Sequence, residues 1–239
     1  MRRVARLLKA PLAAALALIA APAAAFECHT ALVLALDASD SVDPAEADLQ
    51  RKGIALALRD DEVRAAITPV PGVGVMMMIF EWADPGDHQV LARWTKLDNE
   101  PAIDRLIARI ENVPSAYLNG QTGIGDALAH AAGSFRQAGV RCGRRVIDVS
   151  GDGPGNIGTS PEVHKATGAF DGVVINGLVI RHPELDSAQP PGRDPLPYYM
   201  ERVRHGPGAF VELANTYDDY AEAIRRKLIR ELTPSLAAR

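Results

Sequence analysis

Four short apolar runs, Ala31–Leu36, Gly74–Phe80, Arg145–Val149 and Gly172–Ile180, are separated by stretches whose apolar residues recur at helical spacing. Runs this short that are mostly apolar fit strands buried on both faces, and strands separated by helices pair in parallel through crossovers. A helix is predicted from about Pro44 to Ile67, with Leu49, Ile54, Leu56, Leu58 and Val63 on its apolar side and Pro44 suited to its first turn. Pro101–Glu111 and Ile124–Ala138 read as further helices, and Pro161–Gly168 as a short one. His88–Trp94 alternates less cleanly and fits an antiparallel edge strand. Tyr198–Arg204, Ala209–Leu213 and Tyr217–Leu232 complete the pattern as helix, strand and helix. The expected fold is α/β: a doubly wound, mostly parallel six-stranded sheet with helices on both faces and one antiparallel edge strand. Ligands of such sheets bind beyond the carboxyl ends of the strands, where the strand order reverses.

Residues 1–25 stand apart from this pattern. Arg2, Arg3, Arg6 and Lys9 precede an Ala/Leu-rich run that ends in Ala23-Ala24-Ala25, as in a secretory signal peptide. The run is too short and Ala-rich for a spanning helix. The expected mature chain, 26–239, is then a single exported domain without an anchor, periplasmic or secreted. It carries 22 basic and 30 acidic residues. An excess of acid argues against nucleic acid or an anionic membrane as the main partner. Its two cysteines, Cys28 and Cys142, each lie just before a predicted core strand. If those strands are parallel neighbours, both cysteines sit at one end of the sheet and can bridge, in a compartment that permits it.

The exit of the first strand carries the chemistry. Asp37-Ala38-Ser39-Asp40-Ser41 offers a carboxylate and two hydroxyls at alternate positions. Gly120-Gln121-Thr122-Gly123, ahead of a predicted helix, and Ser150-Gly151-Asp152-Gly153, after a predicted strand, can add two more oxygens at the same end of the sheet. Oxygen donors with few charges suit a hard cation such as Mg²⁺, which keeps several of its waters.

These residues resemble the von Willebrand factor type A domain family. Its metal-ion-dependent adhesion site has Asp-x-Ser-x-Ser after the first strand, a Thr on a second loop and an Asp on a third. Asp37, Ser39 and Ser41 match the first element, Thr122 the second and Asp152 the third, in the family's order of strands and helices. More narrowly, the chain is similar to a group of bacterial secreted proteins of this fold with no assigned function. The resemblance implies a non-catalytic, protein-binding module that holds Mg²⁺, with Ca²⁺ or Mn²⁺ as alternatives, and a protein partner whose carboxylate completes the coordination sphere. Asp40 departs from the pattern, which usually has Gly there. It is a candidate modulator of the site, or else a solvated residue or a cap for the helix at Pro44.

Two other readings stay open. A haloacid-dehalogenase-like phosphohydrolase would use Asp37 as nucleophile, but it needs a second Asp two residues on, where Ser39 stands. A structural domain with a vestigial site is the other. There is no Gly-x-Ser-x-Gly elbow and no P-loop lysine, and the six histidines show no zinc-type spacing. Trp82, leaving the second strand at the same end, is either an exposed anchor for a partner or core packing beneath the loop. The prolines from Pro183 to Pro197, with Tyr198 and Tyr199, form a candidate second recognition surface.

Overall fold

The computed structural model describes residues 26–114, 118–181 and 194–233. Six strands form one sheet: β1 (Glu27–Asp37), β2 (Val73–Trp82), β3 (His88–Leu97), β4 (Cys142–Gly151), β5 (Val174–Ile180) and β6 (Val211–Ala214). Their order is β3-β2-β1-β4-β5-β6, parallel throughout except for the antiparallel edge strand β3. From β1 the chain builds outward to β2 and β3, then returns to add β4 on the other side. The order therefore reverses between β1 and β4.

Among the described residues, seven α-helices accompany the strands: α1 (Pro44–Ala57), α2 (Asp61–Ile67), α3 (Glu100–Asn112), α4 (Ile124–Ser134), α5 (Pro161–Ala166), α6 (Pro195–Tyr198) and α7 (Tyr220–Leu232). Alternation along β1 sorts them by face. Leu32, Leu34 and Leu36 point into a core shared with Ile54 of α1, Ile103 of α3 and Leu228 of α7. Ala31, Val33 and Ala35 point the other way, toward Ile124 and Leu128 of α4 and Tyr199. Both faces of the central strand are thus covered, as its unbroken apolar run requires. None of the described helices is long and apolar enough to cross a membrane.

The helix expected over Pro44–Ile67 is two. α1 starts on a capping box, in which the Asp43 carboxylate accepts from Ala45 N and Glu46 N while Glu46 Oε2 accepts from Asp43 N at 2.8 Å. The break between the two comes from Asp60, whose side chain accepts from Glu62 N and Val63 N and begins α2 afresh. Leu56, expected on the buried side, lies about 200° around α1 from buried Ile54 and is 57 % exposed. The helix expected over Tyr198–Arg204 is also different: α6 ends at Tyr198 and runs into a π turn over Tyr199–Val203.

Cys28 and Cys142 are direct partners in the parallel β1–β4 register and form a disulfide with a Cα–Cα distance of 4.5 Å. The bridge ties the two central strands at their amino-terminal ends. The chemistry therefore gathers at the opposite end.

Candidate metal centre

At the carboxyl end of the sheet, Asp37 pairs with Trp82 on β2, and Leu36 pairs with Ser150 on β4. The exits of three strands therefore lie side by side at the point where their order reverses. After Asp37 the chain turns at once: Ala38 N donates to Trp82 O at 2.9 Å, and Ser39 N to Asp37 Oδ1 at 2.9 Å. An Asp that accepts from the backbone two residues on holds a tight turn. That turn aims Ser39 and Ser41 back across the strand ends.

The Thr122 loop is stitched to both neighbours. Asp40 N donates to Gly120 O at 2.7 Å and Gly123 N to Ala83 O at 2.9 Å. Gln121 N donates to Asp84 Oδ1 at 2.8 Å. Thr122 N donates to Asn156 Oδ1 at 2.9 Å, and Asn156 N returns a bond to Thr122 O at 3.1 Å. Three loops from distant parts of the sequence are thereby held in one arrangement.

Their side-chain oxygens form a continuous arc. Thr122 Oγ1 lies 3.5 Å from Ser39 Oγ, Ser39 Oγ lies 3.3 Å from Ser41 Oγ, and Ser41 donates to Asp152 Oδ1 at 2.7 Å. Asp37 lies beneath them, 0 % exposed. Its Oδ2 makes no hydrogen bond. Burial, and after it the charge of Asp152, push the Asp37 carboxyl up to about 8, partly opposed by hydrogen bonds from Ser39. A cation among these oxygens would offset both causes. The donor set also fits one. Bonds of 2.0–2.1 Å in an octahedron put neighbouring oxygens about 2.9 Å apart, within the 2.7–3.5 Å spread of the arc. Among the described residues, no group of three or more His, Cys, Asp or Glu side chains is placed to hold a metal. The arc instead combines two carboxylates with three hydroxyls.

Supporting contacts extend below and beside it. Gln50 of α1 donates from Nε2 to Asp37 O at 2.9 Å, and its Oε1 accepts from Ser150 Oγ at 3.1 Å. Tyr217, just before α7, donates to Asp152 Oδ2 at 3.3 Å. Burial first, and then Asp152, hold the Tyr217 hydroxyl far above the usual phenol range, so it remains a donor.

Several expected residues take other places. Trp82 is 1 % exposed and packs with Phe80 and Ile124 in the core, so it presents no surface to a partner. It sits on a strand flanked by β1 and β3 and covered by helices, which leaves its ring no route to solvent. Asp40 is exposed and is not the cap of α1, a role that Asp43 fills. Tyr199 is fully buried rather than part of a recognition surface, and residues 182–193, with most of the prolines, lie outside the described residues. Gln50, Tyr199 and Tyr217 escape sequence reasoning. Gln50 alone leaves a trace, as a polar residue on the apolar side of an amphipathic helix.

The sequence matches the family described as Protein of unknown function (DUF1194) over residues 27–236. No curated protein matches it. Among solved structures, the chain is similar to proximal thread matrix protein 1 of the mussel byssus in a form with a zinc-occupied MIDAS motif, at 18 % identity and a TM-score of 0.56, covering 87 % of this chain and 46 % of that one. It is likewise similar to a von Willebrand factor type A protein from Catenulispora acidiphila, at 13 % identity and a TM-score of 0.56, covering 86 % and 43 %. A third is the PilB minor pilin from Streptococcus sanguinis, at 12 % identity and a TM-score of 0.59, covering 86 % and 62 %. The chain spans about half the length of the byssus protein. At these identities the likeness establishes the von Willebrand factor A fold.

Proposed function

We propose that this chain, which belongs to the DUF1194 family and has the von Willebrand factor A fold, is an exported, non-catalytic module that binds a protein partner through a divalent cation. The observation that carries the reading is the oxygen arc at the β1–β4 switch point, with two carboxylates, three hydroxyls and a buried, unpaired Asp37 oxygen. Asp37, Ser39, Ser41, Thr122 and Asp152 would hold the ion, directly or through water, and Mg²⁺ fits their spacing. Bound there, the cation supplies an open coordination position for one oxygen of an anionic group. With so few protein charges around it the ion remains electrophilic, and an acidic side chain of a partner is the matching ligand. The zinc-occupied MIDAS of the byssus protein supports this site on this fold. The Cys28–Cys142 bridge and the leader-like residues 1–25 support export, with the leader removed near Ala25.

The test is calorimetric titration with Mg²⁺, paired with thermal unfolding, on wild type and Asp37→Ala. Wild type should gain about 1.4 kcal/mol at ten times its Kd, and Asp37→Ala nothing. Absence of metal-linked heat and stabilisation in wild type refutes the reading. A pull-down from envelope extracts with and without EDTA then examines the partner, and equal retention in EDTA contradicts a metal-bridged contact. Turnover of a phosphate ester, lost in Asp37→Asn, would replace the binding module with a hydrolase.

A further inference from the structure

Two fully buried polar atoms near the arc lack hydrogen-bond partners: Asp37 Oδ2 and the Tyr199 hydroxyl. Both flank one point without bonding to each other. A Cβ placed on Gly151 would stand 2.5 Å from the Tyr199 hydroxyl and 2.7 Å from Asp37 Oδ2. A Cβ on Gly177 would stand 2.6 Å from Tyr199 Cδ1. Gly151 on β4 and Gly177 on the adjacent β5 therefore form a slot for the tyrosine ring, diagonal to one another across the Val149–Gly177 pair. Neither glycine has a left-handed backbone, so what they provide is room.

That room carries the ring to the inner side of the carboxylate. Asp37 Oδ1 is already engaged by Ser39 N, which leaves Oδ2 as the oxygen still to be held. A phenol is a donor as well as an acceptor, and a carboxylate oxygen only accepts. Burying a hydroxyl without a partner is unfavourable, and phenylalanine would fill the same slot without that penalty. The hydroxyl is therefore explained by what it faces, and not by packing.

We infer that Tyr199 is a positioning residue of the metal centre: its hydroxyl, not bonded to Asp37 Oδ2 in this structure, donates to that oxygen when a cation orders the carboxylate. This rests on the metal-binding reading above. Groups that orient a ligand from behind commonly change metal affinity 10–100-fold when removed. The residue also ties the centre to the segment that carries it. Asp194 caps α6 through Leu196 N at 3.0 Å, Arg204 N donates to Tyr199 O at 3.0 Å, and His205 bridges to Ile175 on β5. Ordering of the carboxylate by a cation should accordingly be felt along residues 195–203.

The experiment compares wild type with Tyr199→Phe, which deletes one oxygen. Mg²⁺ affinity is measured by calorimetry, the metal-free melting point by circular dichroism, and amide exchange over 195–203 with and without Mg²⁺. The expected result is a Kd at least tenfold weaker, a metal-free melting point unchanged or higher, and loss of the Mg²⁺-linked exchange protection that wild type shows. Equal Mg²⁺ affinity in the two proteins overturns the inference and leaves the metal centre standing. A lower metal-free melting point in Tyr199→Phe makes the hydroxyl a determinant of the fold and also overturns it. No Mg²⁺ binding by wild type removes the metal centre itself, and the inference with it.

Discussion

Replacing Lys227 by Met tests whether the charges buried beneath the sheet act as one unit. Lys227 on α7 is 0 % exposed, with Nζ 2.7 Å from Asp148 Oδ1 and 2.6 Å from Glu231 Oε1. Asn176 Nδ2 donates to the same Glu231 oxygen at 2.8 Å. Burial, and then the charge of Glu231, push Asp148 up to about 8. Near neutral pH Asp148 therefore holds its proton. The sign of the linkage follows. An acid raised above its unfolded value contributes stability that is fully present below that unfolded value, near 4, and is lost as pH rises through about 8.

Methionine keeps the stem and removes the ammonium. One route for the variant leaves a buried charge uncompensated, at about 3–5 kcal/mol. The other protonates both acids. Holding a second proton at pH 7 on a group whose unfolded pKa is near 4 costs about 1.4 kcal/mol per pH unit, or about 4 kcal/mol. The two routes agree, and the second adds a signature. The loss should be about 4 kcal/mol at pH 7 and about 1.4 kcal/mol at pH 5. Urea unfolding followed by circular dichroism at pH 5, 6 and 7 reads both values. Adding Glu231→Gln, whose amide oxygen can still accept from Asn176, should recover most of the loss and flatten its pH dependence. A loss below about 1 kcal/mol at pH 7, or one equal at pH 5 and 7, refutes the reasoning.

Breaking the Cys28–Cys142 bridge with a pair of serines opens a loop of 114 residues and should cost about 4–5 kcal/mol by the chain-entropy relation. Denaturant unfolding reads it, and a change under about 1 kcal/mol would show that the strand pairing alone fixes that end of the sheet. Gly125→Ala places a Cβ 1.9 Å from Thr159 O, a backbone atom that cannot swing aside. The first turn of α4 must then shift, at about 1–3 kcal/mol, and with it the Thr122 loop. An unchanged melting point would contradict this rigid contact.

What the sequence disclosed depended on how local the determinant is. The β1 run and Asp37-Ala38-Ser39-Asp40-Ser41 announce themselves because a buried central strand must be apolar throughout and a turn at its exit needs polar residues. Register follows from topology, so Cys28 and Cys142 were legible as a pair once their strands were neighbours. The break at Asp60 was hidden because Leu58 and Val63 continue a helical pattern across it, and only the cap shows that the chain restarts. Lys227 and Glu231, four residues apart on α7, have the spacing of pairs common on helix surfaces, and nothing in the sequence singled them out. Their meaning comes from Asp148, an acid inside the apolar run of β4, nearly eighty residues away. Tyr199 was expected on a recognition surface, and nothing local showed that two glycines on neighbouring strands make room for its ring in the core.

The same contacts bear on whether the centre can switch. Asp152, at the end of β4, is held by Tyr217, just before α7. Asp148, farther back on β4, is held by Lys227 in the last two turns of α7. Both ends of α7 are therefore fastened to one strand, and the fully buried ring of Tyr220 on α7 lies against α1 at Gly53. Sliding α7 along its axis would separate Lys227 from its acids, at about 3–5 kcal/mol for the unpaired charge. A ligand that drove such a shift would have to prefer the shifted state by the same amount, a factor of roughly hundreds to thousands in affinity. The proposed contact, one partner carboxylate meeting one cation, is a small source for that difference. The geometry thus favours a centre that binds without moving α7, and Lys227→Met is the change that would let it move.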